Sequence, residues 1–244
     1  MASRYQVVAE SEHEFQNPLS PEKLRMLGER LGLGQGSRVP DVASGRGGPA
    51  VFLARTFGCT VEGVENEPAF HGVAVERAAA REVSHLVSFQ LADASIASFA
   101  EGEYDAAICL GATFVYGGLA PTVAALAPVV KPGGHVAVGE CYWRRLPLPD
   151  DYVERNEPYT TLEDTVLVFE TERIPVVSMI ASSENDWDVY ETLHWQAVAR
   201  WLAENPDDPD ASEILAQNEH WRRTYLRHGR DFLGWAIFVG WKRA

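Results

Sequence analysis

Residues 39–48, V-P-D-V-A-S-G-R-G-G, constrain the fold more than any other stretch of the chain. An apolar, β-branched approach ends in an acid, Asp41. Gly45, Gly47 and Gly48 follow, and then an apolar run at helical spacing, Ala50-Val51-Phe52-Leu53-Ala54. The pattern reads as strand, glycine loop, helix. Glycines let a backbone turn tightly and approach a ligand closely. A helix start offers free N–H groups and a partial positive charge to an anion. A plain turn is the competing reading of any single glycine loop, so the weight falls on the residues around it.

Those residues alternate between strand and helix patterns. Strands are predicted at 37–42, 59–65, 86–91, 104–110 and 135–140. Helices are predicted from Pro21, where Ser20 is the N-cap, and at 48–57, 68–81 and 119–130, with a sharp turn at 131–134. The fourth strand, Y-D-A-A-I-C-L, is almost wholly apolar, as a central parallel strand covered on both faces must be. This alternation predicts an α/β fold built on a doubly wound parallel sheet. Ligands bind such sheets beyond the carboxyl ends of the strands, at the topological switch point. Asp41, Glu65, Asp93, Gly111 and Glu140 all fall at or just past predicted strand ends. Beyond residue 140 the reading is an extended linker at 141–150, a helix at 161–172 and a sixth strand at 175–181. An amphipathic helix at 186–203, a further helix at 211–232 and a last strand at 235–241 complete it. Residues 1–16 read as polar and acidic, loosely ordered until they meet the body of the protein.

The chain of 244 residues carries a net charge of −14, which argues against a nucleic-acid backbone or an anionic membrane as partner, since both call for basic patches. Its apolar runs are too short to span a bilayer, and residues 1–10 carry no signal-peptide core. Cys59, Cys109 and Cys141 are odd in number and widely spaced, which fits reduced thiols in a cytoplasmic setting rather than disulfides or metal ligands.

The strand-end acids point to a nucleoside ligand. Glu65 stands 18 positions past Gly47, where a carboxylate meets ribose hydroxyls in nucleotide-binding sheets. Asp93 suits an exocyclic amine such as adenine N6. Two features speak against NAD: the loop lacks the G-x-G-x-x-G spacing, and Asp41 would repel a pyrophosphate. An adenosyl ligand with a cationic sulfonium and an amino-acid tail fits these acids better, with the helix start near Gly47 taking the tail carboxylate.

As an ordered set, D-V-A-S-G-R-G-G, V-E-G-V-E, L-A-D-A and V-K-P-G-G-H-V-A-V resemble the motifs of class I S-adenosylmethionine (SAM)-dependent methyltransferases. One departure is Ala43, where that family usually has glycine; an alanine is tolerated there if φ stays negative. N-P-L-S-P-E-K, L-G-A-T-F-V-Y-G-G, G-E-C-Y-W-R-R and W-D-V-Y-E resemble a narrower group of uncharacterised bacterial methyltransferases. The resemblance implies a Rossmann-like seven-stranded sheet whose last strand is antiparallel, with late helices as a lid. It implies SAM as cofactor, S-adenosyl-L-homocysteine as product and a small-molecule acceptor. The expected organisation is an N-terminal segment and helix at 1–36 that form part of the lid, a SAM-binding core at 37–140 and a C-terminal half at 141–244 that completes the sheet, with lid helices at about 186–232. Cofactor contacts are assigned to Asp41, Ala43, Ser44, Gly45, Arg46 and Gly47, to Glu65 and Asn66, to Asp93 and Ala94, and to Leu110 and Gly111.

Methyl transfer needs a general base only where the acceptor must lose a proton. The candidates are His13, Glu140 and His194. Tyr116, Tyr142, Trp143, Tyr190 and Trp195 are candidates for an acceptor pocket, with lid core as the competing reading for aromatics at helical spacing. No cluster shows metal-ligand spacing in the sequence, so no metal is expected. Two other functions fit the same residues: another chemistry on the SAM-binding fold, or a non-catalytic SAM sensor or partner protein.

Overall fold

The computed structural model describes residues 2–152 and 159–243. Seven strands, β1 (Arg38–Val42), β2 (Thr60–Glu65), β3 (Val87–Leu91), β4 (Tyr104–Leu110), β5 (Val130–Trp143), β6 (Val176–Ala181) and β7 (Leu233–Trp241), form one sheet in the order β3-β2-β1-β4-β5-β7-β6. Strands β1 to β5 pair in parallel, and β7 runs antiparallel to both β5 and β6. The order reverses between β1 and β4, so the crevice of a doubly wound sheet opens there.

The core forms on both faces of this sheet. In β4, Ala106, Ile108 and Leu110 point into one apolar cluster and Ala107 and Cys109 into the other. The first cluster is closed by α2 (Pro21–Arg30) and α3 (Gly48–Phe57), the second by α5 (Leu119–Leu126) and α6 (Leu162–Thr171). A strand with apolar layers on both sides has no solvent face, and its sequence has no polar alternation. Helix α4 (Pro68–Ala80) packs beside β3.

Four expectations need correction. Residues 1–16, expected to order only on meeting the body of the protein, meet it through a helix that the sequence reading did not place: α1 (Arg4–Ala9) starts at a capping box in which Ser3 and Gln6 satisfy each other's backbone N–H. Its Tyr5, Val8 and Ala9 form a small core with Val198 of α7 (Glu184–Glu204) and Ile214 of α8 (Ala211–Thr224). Arg4 pairs with Asp208 and Asp210 at the α7–α8 turn, closing the same contact from outside. Met1, the first residue of that segment, lies outside the described residues. Residues 141–143 are not the start of a linker but the end of β5, held by β7 through the register Glu140↔Ala236 to Trp143↔Leu233. The glycine turn at 131–134 is a bulge inside β5: Tyr104 pairs with Val130, and Ala106 pairs with His135. The helix expected at 211–232 ends at Thr224 and passes through a π-helical turn, Tyr225–Gly229, before β7.

Because β5 passes through residue 140, the nucleotide-side half of the sheet and the C-terminal half share a strand. Among the described residues no helix is long and apolar enough to cross a membrane. The α1–α7–α8 cluster is small and separate from the two main clusters. Ile214→Ala, which removes a fully buried side chain, should therefore cost about 2–5 kcal/mol of local packing. Native-state hydrogen exchange should show α1 and α8 losing protection while β1 and β4 keep theirs.

Candidate functional site

The carboxyl ends of β1, β2 and β4 open into a cavity of about 360 Å³. Asp41, Ala43, Ser44, Gly45, Glu65, Asn66, Ala94, Leu110 and Gly111 line it, as does the N-terminal segment through Ala2, Gln6, Glu10, Glu14, Gln16 and Asn17. Three of the sequence-assigned residues do not. Arg46 turns its guanidinium to the Ser11 carbonyl at 2.7 Å. Gly47 packs against Phe89 and Ala74 and has no room for a Cβ. Asp93 is exposed and accepts from the Ser95 N–H and hydroxyl at 2.9 and 2.7 Å, an Asx turn that holds its carboxyl below the usual range.

The glycine loop is also closed from inside rather than left open to an anion. Its Gly45 N–H donates to Glu65 at 2.8 Å, its Arg46 N–H to the Gln16 side chain at 2.6 Å and its Gly47 N–H to the Ser44 carbonyl at 2.9 Å. A Cβ on Gly45 would collide with Gln16, and one on Gly48 with the Glu14 carbonyl. These glycines admit the N-terminal segment as much as a ligand. Ala43 adopts φ +53°, in the left-handed region rather than at the negative φ expected for a tolerated alanine. An L-residue there costs about 1–2 kcal/mol. Ala43→Gly should therefore stabilise the fold by about 0.5–1 kcal/mol in urea denaturation, after the greater entropy of glycine in the unfolded chain is subtracted.

Two acids set the electrostatics. Glu65 is buried, with Oε2 accepting from Gly45 and Oε1 accepting from the N–H groups of Asn66 and Glu67 at 3.0 and 2.8 Å. It shapes the loop as well as facing the cavity. Asp41 is 2% exposed, and its Oδ2 has no hydrogen-bond partner. Burial, reinforced by the nearby Glu65 charge, pushes its carboxyl up to about 8. Glu10, Glu14 and Glu67 add further carboxylates, and among the described residues no Lys or Arg lines the cavity. The cavity is built for a cation.

A second cavity, of about 320 Å³, lies between α1, α7, α8 and the π-helical turn. Tyr5, Ala9, Trp221, Tyr225 and Leu233 supply its apolar wall, and Gln6, Glu191, His194 and Gln217 its polar groups. Glu10 and Tyr190 line both cavities. Of the three base candidates, His194 alone lines either cavity. His13 is 1% exposed behind it, and Glu140 is engaged elsewhere by the Thr113 hydroxyl and the Cys141 N–H.

Of the five aromatics assigned to the acceptor, only Tyr190 lines a cavity. Tyr116 reaches the Ala94 carbonyl at 3.3 Å from within the core, and Tyr142 packs over Gly234. Trp143 is buried between Tyr152 and Tyr159, and Trp195 lies under the Arg222 guanidinium. The sequence reading missed Glu10, Gln16 and Asn17. The Ser3-x-x-Gln6 capping signature was the available signal for a helix that would place Glu10.

The premise that no cluster has ligand spacing also fails in three dimensions. Glu10, His13 and His194 bring ligand atoms within 4.8 Å of one another, across 184 positions of sequence.

The comparisons agree with this geometry. A profile described as a methyltransferase domain matches residues 39–134. The chain is 35% identical to the uncharacterised protein YjhP of Escherichia coli over 237 residues, which is 95% of each chain. Its fold superposes on that of a SAM-dependent methyltransferase from Geobacter sulfurreducens, crystallised in complex with S-adenosyl-L-homocysteine. The TM-score is 0.93 and the identity 34%, over 99% of both chains. The chain belongs to the class I SAM-dependent methyltransferases. A methyltransferase from Thiobacillus denitrificans, crystallised with the same product, matches equally well, with a TM-score of 0.93 and 34% identity over 99% of each chain.

The cofactor of this methyltransferase is SAM, and the cavity suits it. Asp41 Oδ2 and Ser44 Oγ are buried without hydrogen-bond partners, and both residues line a space walled by carboxylates. Asp41, the Ser44–Gly45 turn, Glu65 and Asn66 are the residues positioned to hold it. Asp41 is expected to stay protonated until about pH 8 in the free protein. A cationic ligand beside it favours the ionised form. SAM binding near pH 7 should therefore release a proton, and the neutral product should release less. Calorimetry in buffers of different ionisation enthalpy reads this directly, and SAM affinity should rise more steeply than product affinity between about pH 6 and 8. Asp41→Asn should abolish the difference.

Proposed function

We propose that the second cavity receives a small organic acceptor and that the enzyme methylates it at oxygen, nitrogen or sulfur. The observation that carries this reading is the shared wall: Glu10 and Tyr190 border both cavities, so a group held in the second can reach the first across them. Bound SAM supplies a methyl group on a cationic sulfonium, already a good electrophile. The work left to the chain is alignment and the exclusion of water, and alignment alone is worth roughly 7–11 kcal/mol in well-oriented systems. Helix α1 and the strap of residues 14–17 cover the cofactor cavity, while α7 and α8 enclose the acceptor side. The Tyr5, Trp221 and Tyr225 wall favours an acceptor with an apolar or aromatic body. Its polar group would sit at the Glu10–His194 rim. A cytoplasmic location accords with three free thiols, two of them buried.

The deciding experiment incubates the protein with methyl-labelled SAM and a metabolite library and identifies labelled products by mass spectrometry. With the product in hand, Trp221→Ala should raise the acceptor KM severalfold and leave S-adenosyl-L-homocysteine affinity unchanged. A lowered cofactor affinity with an unaltered acceptor KM would place the acceptor elsewhere.

A further inference from the structure

The junction between the two cavities holds two buried acceptors with no donor between them. His13 Nε2 lies 2.9 Å from the Tyr190 carbonyl, which can only accept, so the ring carries its proton on that nitrogen. The other nitrogen, Nδ1, is left as a bare lone pair with no hydrogen-bond partner. It faces Glu10 Oε2, itself buried and without a partner, at 3.7 Å. The remaining oxygen of Glu10 lies 3.2 Å from His194 Nε2. Lone pair against carboxylate in a buried place is costly unless something positive stands between them. Arg46 is near enough to act on both Glu10 and His13, but no hydrogen bond joins it to either: its Nη2 donates to the Ser11 carbonyl at 2.7 Å and its buried Nε has no partner.

We infer that Glu10, His13 and His194 bind a divalent transition-metal cation of the zinc type at this junction, through the Glu10 carboxylate, His13 Nδ1 and His194 Nε2. Two imidazoles and one carboxylate suit zinc and its neighbours rather than magnesium or calcium. One Glu10 oxygen lies 3.2 Å from His194 Nε2 and the other 3.7 Å from His13 Nδ1, and a ligand atom from each of the three residues lies within 4.8 Å of the other two, a span that modest side-chain rotation closes onto one ion. The His13 ring already has the outer hydrogen bond that ligating histidines usually carry, N–H to a backbone carbonyl, which fixes tautomer and orientation. Three protein ligands leave a fourth position open, and Glu10 and His194 both border the second cavity. An acceptor oxygen or nitrogen could take that position and lose its proton more easily there. This last step rests on the acceptor reading above; the cation site stands without it.

The test uses the full chain, stripped with a chelator and titrated with cobalt(II) chloride and then with zinc chloride. One cobalt per chain is expected, with visible ligand-field bands that zinc abolishes. Glu10→Gln and His194→Gln should each weaken uptake about tenfold or more. Their melting temperatures and far-ultraviolet circular dichroism, measured on the same samples, establish that they are folded. His85→Gln, exposed in the turn before β3 at the opposite end of the sheet from the cavities, should change nothing. The inference is overturned if wild-type protein that binds S-adenosyl-L-homocysteine shows no saturable cobalt uptake, since water or a proton then meets the two lone pairs. Equal uptake by the wild type and both variants would overturn it as well, because the ion would then sit elsewhere. Labelled product formed with no cobalt uptake would separate the two readings, keeping the acceptor proposal and removing the cation.

Discussion

The N-terminal strap on the glycine loop is the contact on which the site depends. Gln16 accepts the Arg46 N–H, and Asn17 donates to the Leu110 carbonyl at 3.0 Å, so one dipeptide ties the β1 and β4 ends of the crevice together. Gly45 and Gly111, both at positive φ, are the positions where a Cβ would push those two side chains off. Strap and loop fit only because both loops lack side chains there. The cavity below is covered by the same residues that brace its walls.

The chemistry of the cavity follows from where its charge is placed. A carboxyl buried with no partner, as Asp41 is, costs the fold stability once it ionises. The unfolded group ionises near pH 3.8 and the folded one near 8, so its cost grows as pH rises across that interval. A site of this kind holds its charge in reserve for a cationic ligand. Glu65 plays the opposite part: its three backbone hydrogen bonds are made without any ligand and fix the loop in place.

Much of the fold was legible because central parallel strands are written locally. The limits of β4 and α3 agree with the sequence reading, since an apolar run bounded by turn residues leaves little choice. The end of β5 was not legible. Cys141, Tyr142 and Trp143 look like loop until β7 pairs with them, and β7 lies 90 residues downstream. Helix α1 has only one full turn of apolar residues, and its partners are Val198 and Ile214. The strand-end residues of the cofactor cavity were legible for the same local reason. Asp93 was not, because an Asx turn and a ligand contact begin from the same residue. The acceptor aromatics failed more broadly: Trp143 and Trp195 satisfy the helix and strand periodicity of core residues, and core is where they lie.

Arg4 meets Asp208 and Asp210 across 204 and 206 positions of sequence. On the ribosome, α1 is made well before its partner helix α8. At ordinary synthesis rates that gap is roughly 10–40 s. For that time the Tyr5–Val8 face is exposed and the strap is anchored at one end only. The cofactor cavity can be lined by strands long before it can be closed. Nascent chains stalled before α8 therefore carry a nucleotide crevice with an open roof, and the apolar face of α1 is what a chaperone would meet first.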